Sequence, residues 1–202
     1  MVADRTAQGV LVCLSGPSGV GKSTVCQRLV RRLDAMLSVS ATTRPPRPGE
    51  VNGRDYWFLE RADFEARIAE GRLLEYAQVY AGQYYGTPAE PVAEALAAGR
   101  TVILEIDIAG TLQVARRYPD AVTLYLLAPT AGDQQQRLVG RKQDTAEAMA
   151  ERLAKADGEI RKAKECGAYK HFVVNADLDD TIDRLVAIIR AAASEHKENS
   201  GV

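Results

Sequence analysis

The sequence has almost no net charge, few cysteines, few histidines and few aromatic residues, and each scarcity removes a class of function. Twenty-six Lys+Arg stand against 27 Asp+Glu, a formal charge of −1. That balance gives no global case for nucleic acid or an anionic membrane as partner, so any polyanion site must be a local cluster. The three cysteines, Cys13, Cys26 and Cys166, lack C-x-x-C spacing. They read as buried structural thiols, and His171 and His196 are too far from any cysteine pairing to suggest zinc. No apolar run reaches the roughly 18 residues that can span a bilayer, and Asp4-Arg5 does not begin a signal peptide. These absences lead to the expectation of a reduced, cytoplasmic chain. What remains is 202 residues, 46% hydrophobic and 26% charged, which suits one α/β domain with modest insertions.

The most specific stretch is GPSGVGKST, residues 16–24. It fills G-x-x-x-x-G-K-[ST] with Gly16, Gly21, Lys22 and Ser23, and Pro17, Ser18, Gly19, Val20 and Thr24 complete the loop. VLVCLS (10–15) precedes it as a short apolar strand, and TVCQRLVRRL follows with Val25, Leu29 and Leu33 at helical spacing. Strand, glycine turn and helix start are the context that this motif requires. Its backbone N–H groups and helix N-terminus cradle phosphates, Lys22 reaches the β- and γ-phosphates, and the Ser23 hydroxyl can ligate Mg²⁺. A nucleoside triphosphate is therefore expected here; its phosphate acceptor is not specified by the loop.

LSVSATT (37–43) alternates like a short strand, and RPPRPGEVNGRDY breaks all periodicity into an ordered loop. YWFLE (56–60) reads as a strand, RADFEARIAEGR as a short helix stopped by Gly71, and LLEYAQVYAGQYYGTP (73–88) as a small β element. AEPVAEALAAGR reads as a helix, TVILEIDI (101–108) as a core strand with two acids at its carboxyl end, and VTLYLL (122–127) as another. Residues 130–165 are polar, Ala-rich and helical, interrupted by VGRKQDT; HFVVN (171–175) is a last strand before a closing amphipathic helix. Strands alternating with helices predict a parallel sheet covered on both faces. The β-rich stretch at about 42–98 reads as an insertion beside the phosphate loop, a natural place for the acceptor.

Within that stretch, Arg44 and Arg47 lie three apart in a proline-braced loop, with Tyr56 nearby. Both guanidinium groups could form charge-assisted bidentate bonds to one dianionic phosphate, although a solvated basic loop is the plain alternative.

Taken together, GPSGVGKST, SATTRPPRPGEVNGRDY, LLEYAQVYAGQYYGT, ILEID and the arginines near GRKQD resemble guanylate kinase, of the nucleoside monophosphate kinase group, from Val10 to about Ala191. The resemblance implies transfer of the γ-phosphoryl group of ATP to GMP with Mg²⁺, and leaves dGMP open as a second acceptor. It implies a P-loop parallel-sheet core (10–41 and 99–194), an inserted β-rich GMP-binding region (42–98) and a helical lid (137–155). It puts the GMP phosphate on Ser40, Arg44, Arg47, Tyr56 and Tyr85, and the guanine on Glu75 and Thr87. One carboxylate can accept guanine N1–H and N2–H₂ together, whereas adenine offers no donor at those positions. Asp107 could hold a Mg²⁺-bound water or face the acceptor base. Arg141 and Arg152 match lid arginines that meet the transferring phosphate, Arg137 reads equally as a surface residue, and Asn175 resembles a residue near the adenine. A homo-oligomer stays open.

The pattern also departs from the family. GRKQD stands where G-R-G-T-[DE] is frequent, Ala109 where Gln is usual, Glu105 where Asp is frequent, and one extra residue precedes Tyr84-Tyr85. Three other readings share part of the pattern. A phosphosugar kinase would need no guanine reader. A GTPase matches only Asp107-x-x-Gly110, without N-K-x-D. A non-catalytic scaffold would not be expected to keep Lys22 and Ser23.

Overall fold

In the computed structural model, residues 9–78, 82–130, 132–133 and 146–199 are described, with backbone only for 146–155 and 196–199. Among the described residues, nine strands form two sheets. The core strands are β1 (Leu11–Ser15), β2 (Met36–Leu37), β7 (Val102–Glu105), β8 (Val122–Leu127) and β9 (His171–Val174). They lie in the order β2-β7-β1-β8-β9, and every pair is parallel. Burial on both faces accounts for the near-continuous apolar runs of these strands.

Alternation along β1 divides the core. Val12 and Leu14 face α1 (Lys22–Leu33) and α6 (Leu178–Asn199), meeting Val25, Leu29, Ile182 and Leu185. Leu11 and Cys13 face the other way, against α3 (Ala89–Ala97) and α4 (Ile108–Arg117), through Val92, Leu96 and Val114. Helix α5 (Ala146–Glu165) brings Ala163 to Tyr125 and Tyr169.

The second sheet is ordered β4-β3-β6-β5, from β3 (Ala41–Thr42), β4 (Trp57–Phe58), β5 (Leu73–Gln78) and β6 (Tyr84–Pro88). Its antiparallel β5–β6 hairpin carries the aromatics expected of a small β element. Helix α2 (Arg61–Ala69) supplies Phe64, which packs with Ala41 and Leu73.

The structure differs from the sequence reading in two places. The alternating stretch 37–43 is not one strand, because it crosses from β2 of the core to β3 of the small sheet. The strand expected through residue 108 ends at Glu105, and Asp107 then caps α4, a helix absent from the sequence reading.

Candidate active site

The phosphate loop leaves β1 at its carboxyl end, where parallel sheets bind ligands. Gly21 caps α1 with φ 95°, a backbone that favours glycine, and a Cβ there would lie 3.0 Å from Asn175 Nδ2. Asn175 Nδ2 donates to the Val20 carbonyl at 2.8 Å, so the last strand braces the loop from behind. The Lys22 ammonium folds across the loop and donates to the carbonyls of Gly16 (2.5 Å) and Pro17 (3.1 Å). Ser23 Oγ donates to Glu105 Oε1 at 3.0 Å from the end of β7. The resulting cavity, about 490 Å³, is lined by Ser18, Gly19, Gly21, Lys22, Ser23, Thr24, Glu105, Asn175 and Leu178. Burial, with the Glu105 charge and its hydrogen bond adding, pushes the Cys26 thiol up, so this cysteine stays protonated beneath the loop.

A second cluster of charged and aromatic side chains lies on the small sheet. Arg44 is buried, and each of its three nitrogens has a partner: Nε donates to Tyr85 Oη (3.1 Å), Nη1 to the Pro45 carbonyl (2.7 Å) and Nη2 to Glu50 Oε1 (2.8 Å). The guanidinium also sits 5.3 Å from the Tyr56 ring centre and 5.7 Å from that of Phe58. Glu50 Oε2 accepts the Arg47 backbone N–H at 2.7 Å, tying the two arginine positions together. The Arg47 side chain is exposed. Tyr56 and Tyr85 meet edge to face at 5.8 Å. Burial raises the Tyr56 hydroxyl above its usual range, and the Glu50 and Glu105 charges add to that. The Glu105 charge therefore acts on both the Cys26 thiol beneath the loop and the Tyr56 hydroxyl of the small sheet.

The third feature is a buried acid. Glu75, on β5, is 5% exposed, and Oε1 accepts from Thr87 Oγ1 at 2.7 Å on the paired strand β6. Burial and then the Asp107 charge push its carboxyl up to about 7, while hydrogen bonds from Thr87 oppose the rise. Asp107 is exposed, and its Oδ1 accepts from the Gly110 N–H at 2.8 Å as the cap of α4.

The structure thus gathers Gly16, Lys22, Ser23 and Asn175 at one site, Arg44, Tyr56 and Tyr85 at a second, and Glu75 with Thr87 beside them. Ser40 is half-buried at the start of β3, where its carbonyl accepts from Trp57. Arg137 and Arg141 lie outside the described residues, and Arg152 falls in the part of α5 described by backbone alone. Sequence reasoning gave Glu50 no role, although its place three residues after Arg47 in a proline–glycine turn was a signal. It treated Glu105 only as a mild departure, although an acid at the end of a core strand faces the loop.

A glycine-rich loop at a strand end, with a separate arginine–tyrosine cluster on a second sheet, places the chain among the P-loop proteins. Comparison with known proteins gives the particular family. The sequence profile described as guanylate kinase matches residues 8–192, and the chain belongs to that family. It is similar to the guanylate kinase of Synechocystis sp., 46% identical over 191 residues, covering 94% of this chain and 98% of the relative. It is 45% identical over 184 residues to that of Thermus thermophilus, covering 91% and 82%. The crystal structure of guanylate kinase from Anaplasma phagocytophilum superposes with a TM-score of 0.72 at 31% identity, covering 92% and 87%.

Proposed function

We propose that the chain transfers the γ-phosphoryl group of ATP to GMP, giving ADP and GDP, with the donor on the phosphate loop and the acceptor on the small sheet. The observation that carries the acceptor assignment is the buried Glu75–Thr87 pair. A buried carboxylate with one hydroxyl partner has acceptor capacity left over, and guanine supplies two adjacent donors to use it. A base without them would strand the carboxylate, so rejection on the order of 10⁴-fold follows from the same geometry.

The chemistry is direct in-line transfer, in which positioning and charge stabilisation supply the rate. Lys22 turns from the loop carbonyls to the β- and γ-phosphates. Arg44 presents the acceptor phosphate, held in orientation by Tyr85 and Glu50, and Arg47 and Tyr56 close around it. Arg141 and Arg152, the arginines assigned by resemblance, neutralise charge on the transferring group as the lid shuts out water. The Ser23 hydroxyl and the Glu105 carboxylate, 3.0 Å apart, are hard oxygen donors suited to the Mg²⁺ that accompanies ATP. That ion would offset negative charge on the phosphates. Asp107, whose Oδ1 caps α4 and whose charge acts on Glu75, would face the acceptor base or hold a Mg²⁺-bound water.

The test is ADP production from MgATP with GMP, AMP, UMP and CMP in turn, and with no acceptor. Turnover with GMP alone is the expected result. Turnover with none of the four, alongside normal ATP binding, would transfer the acceptor site to another phosphate-bearing substrate.

A further inference from the structure

Helix α4 belongs to the core, yet one of its faces is spent on strand β5 of the small sheet. Gly110, Gln113 and Arg117 lie three and four residues apart, the spacing that puts side chains on one side of a helix. Gln113 Oε1 accepts the Tyr76 N–H at 3.2 Å, and Gln113 Nε2 donates to the Tyr76 carbonyl at 2.8 Å. The carboxamide thereby pairs with Tyr76 as a peptide group of another strand would. Arg117 Nη1 donates to the carbonyls of Leu73 (2.8 Å) and Leu74 (3.0 Å). The main chain on both sides of Glu75 is therefore pinned to α4. Gly110 completes the fit: a Cβ there would come within 2.7 Å of Glu75 Oε2.

β5 is an edge of its sheet, and covering an edge is one use for such bonds. Tyr76, however, is 40% exposed, and water could satisfy its main chain equally well. What water could not do is fix the strand in place. Because α4 begins at Ile108, capped by Asp107 just past Glu105 beside the phosphate loop, the pins relate the Glu75 carboxylate to the proposed donor site.

We propose that Gln113 is a positioning residue for the acceptor base: by clamping Tyr76 it holds the neighbouring Glu75 carboxylate where guanine is read, in register with the phosphate loop. This rests on the assignment of Glu75 as guanine reader.

The test is steady-state kinetics of Gln113→Met and Gln113→Asn with GMP and with inosine monophosphate, which keeps N1–H but lacks the exocyclic amine. Glu75→Gln is measured in parallel. The expected result is a KM for GMP raised roughly tenfold, as for a misplaced binding group, with the KM for ATP within about twofold of the parent and the preference for GMP over inosine monophosphate reduced. The shorter Asn keeps the amide but cannot reach, so it gives the same direction if the Met variant fails to fold. A lowered melting temperature with an unchanged KM for GMP and unchanged preference would overturn the proposal and leave Gln113 as an edge cover. A parallel rise in both KM values would also overturn it, since the damage would then be general. If Glu75→Gln itself behaves as the parent, the guanine-reader assignment falls and the clamp falls with it.

Discussion

On the proposed reading, the working groups at the phosphate loop are main-chain N–H groups and one lysine, held by a strand and a helix that belong to the central core; Val12, Leu14, Val25 and Leu29 pack within one cluster. At the small sheet the working groups are nearly all side chains, and only Ala41, Phe64 and Leu73 form its buried apolar cluster. The donor site thus inherits rigidity from packing that the whole fold needs. The acceptor site must make its own, through the Arg44–Glu50–Arg47 ties, the Tyr56–Tyr85 contact and the α4 pins. Substitutions should therefore separate the two sites cleanly.

The largest separation is expected at Lys22. Lys22→Ala should lower kcat on the order of 10³-fold, as losing a transition-state donor does, with GMP binding by calorimetry unchanged. A matching loss of GMP affinity would break the division. Arg44→Ala should lower kcat/KM for GMP by at least ~100-fold, about 3 kcal/mol for a lost bidentate charged contact. ATP binding should persist, and near-parent kinetics would remove the phosphate role.

The next effect is a pH dependence confined to the acceptor. On the proposed reading of Glu75, only its charged carboxylate accepts both guanine donors, so kcat/KM for GMP should fall about tenfold per unit as pH drops below about 7. The Glu75→Gln variant should lose this contribution and keep only the dependence that comes from the substrate phosphates, whose second ionisation lies at about pH 6. Stability of the empty protein runs the other way. Between the usual carboxylate value of 4.5 and about 7 the folded chain holds a proton that the unfolded chain has released. That contribution is complete below the lower value and is lost as pH rises through the upper one. Denaturant midpoints of parent and Glu75→Gln across this window would check it.

The smallest effect is expected at Asn175. Removing its amide bond to Val20 should raise the KM for ATP about fivefold, near 1 kcal/mol for one hydrogen bond, and leave the KM for GMP alone.

The same contrast explains what could be read from the sequence. The donor site is contiguous, so nine residues and their flanking apolar runs announced strand, loop and helix together. Arg44 and Tyr56 were legible as chemistry because prolines and an aromatic stood close by. Glu75 and Thr87 are far less conspicuous: a carboxylate twelve positions from a threonine means nothing until the β5–β6 hairpin pairs them. Helix α4 escaped because Gly110 and Thr111 are poor helix formers lying in its first turns. Two signals for it were present, an Asp at the cap and Arg116 and Arg117 in the last turn. Asp107 was legible as a polar group at a strand end, but not as the cap of α4, a role that uses Oδ1 and leaves Oδ2 available to a ligand.

The position of β1 in the middle of its sheet has a consequence for how the chain is made. Ser15, at the mouth of the phosphate loop, donates to the carbonyl of Ile106, 91 residues further on, and β1 pairs only with β7 and β8. The strands of the small sheet are all synthesised between them. During translation the loop therefore emerges without a neighbour on either side, and the strands of the small sheet follow before its support exists. The loop is thus synthesised before both of its supporting strands, so a ribosome stalled before residue 122 would carry the whole motif without β8 beside it.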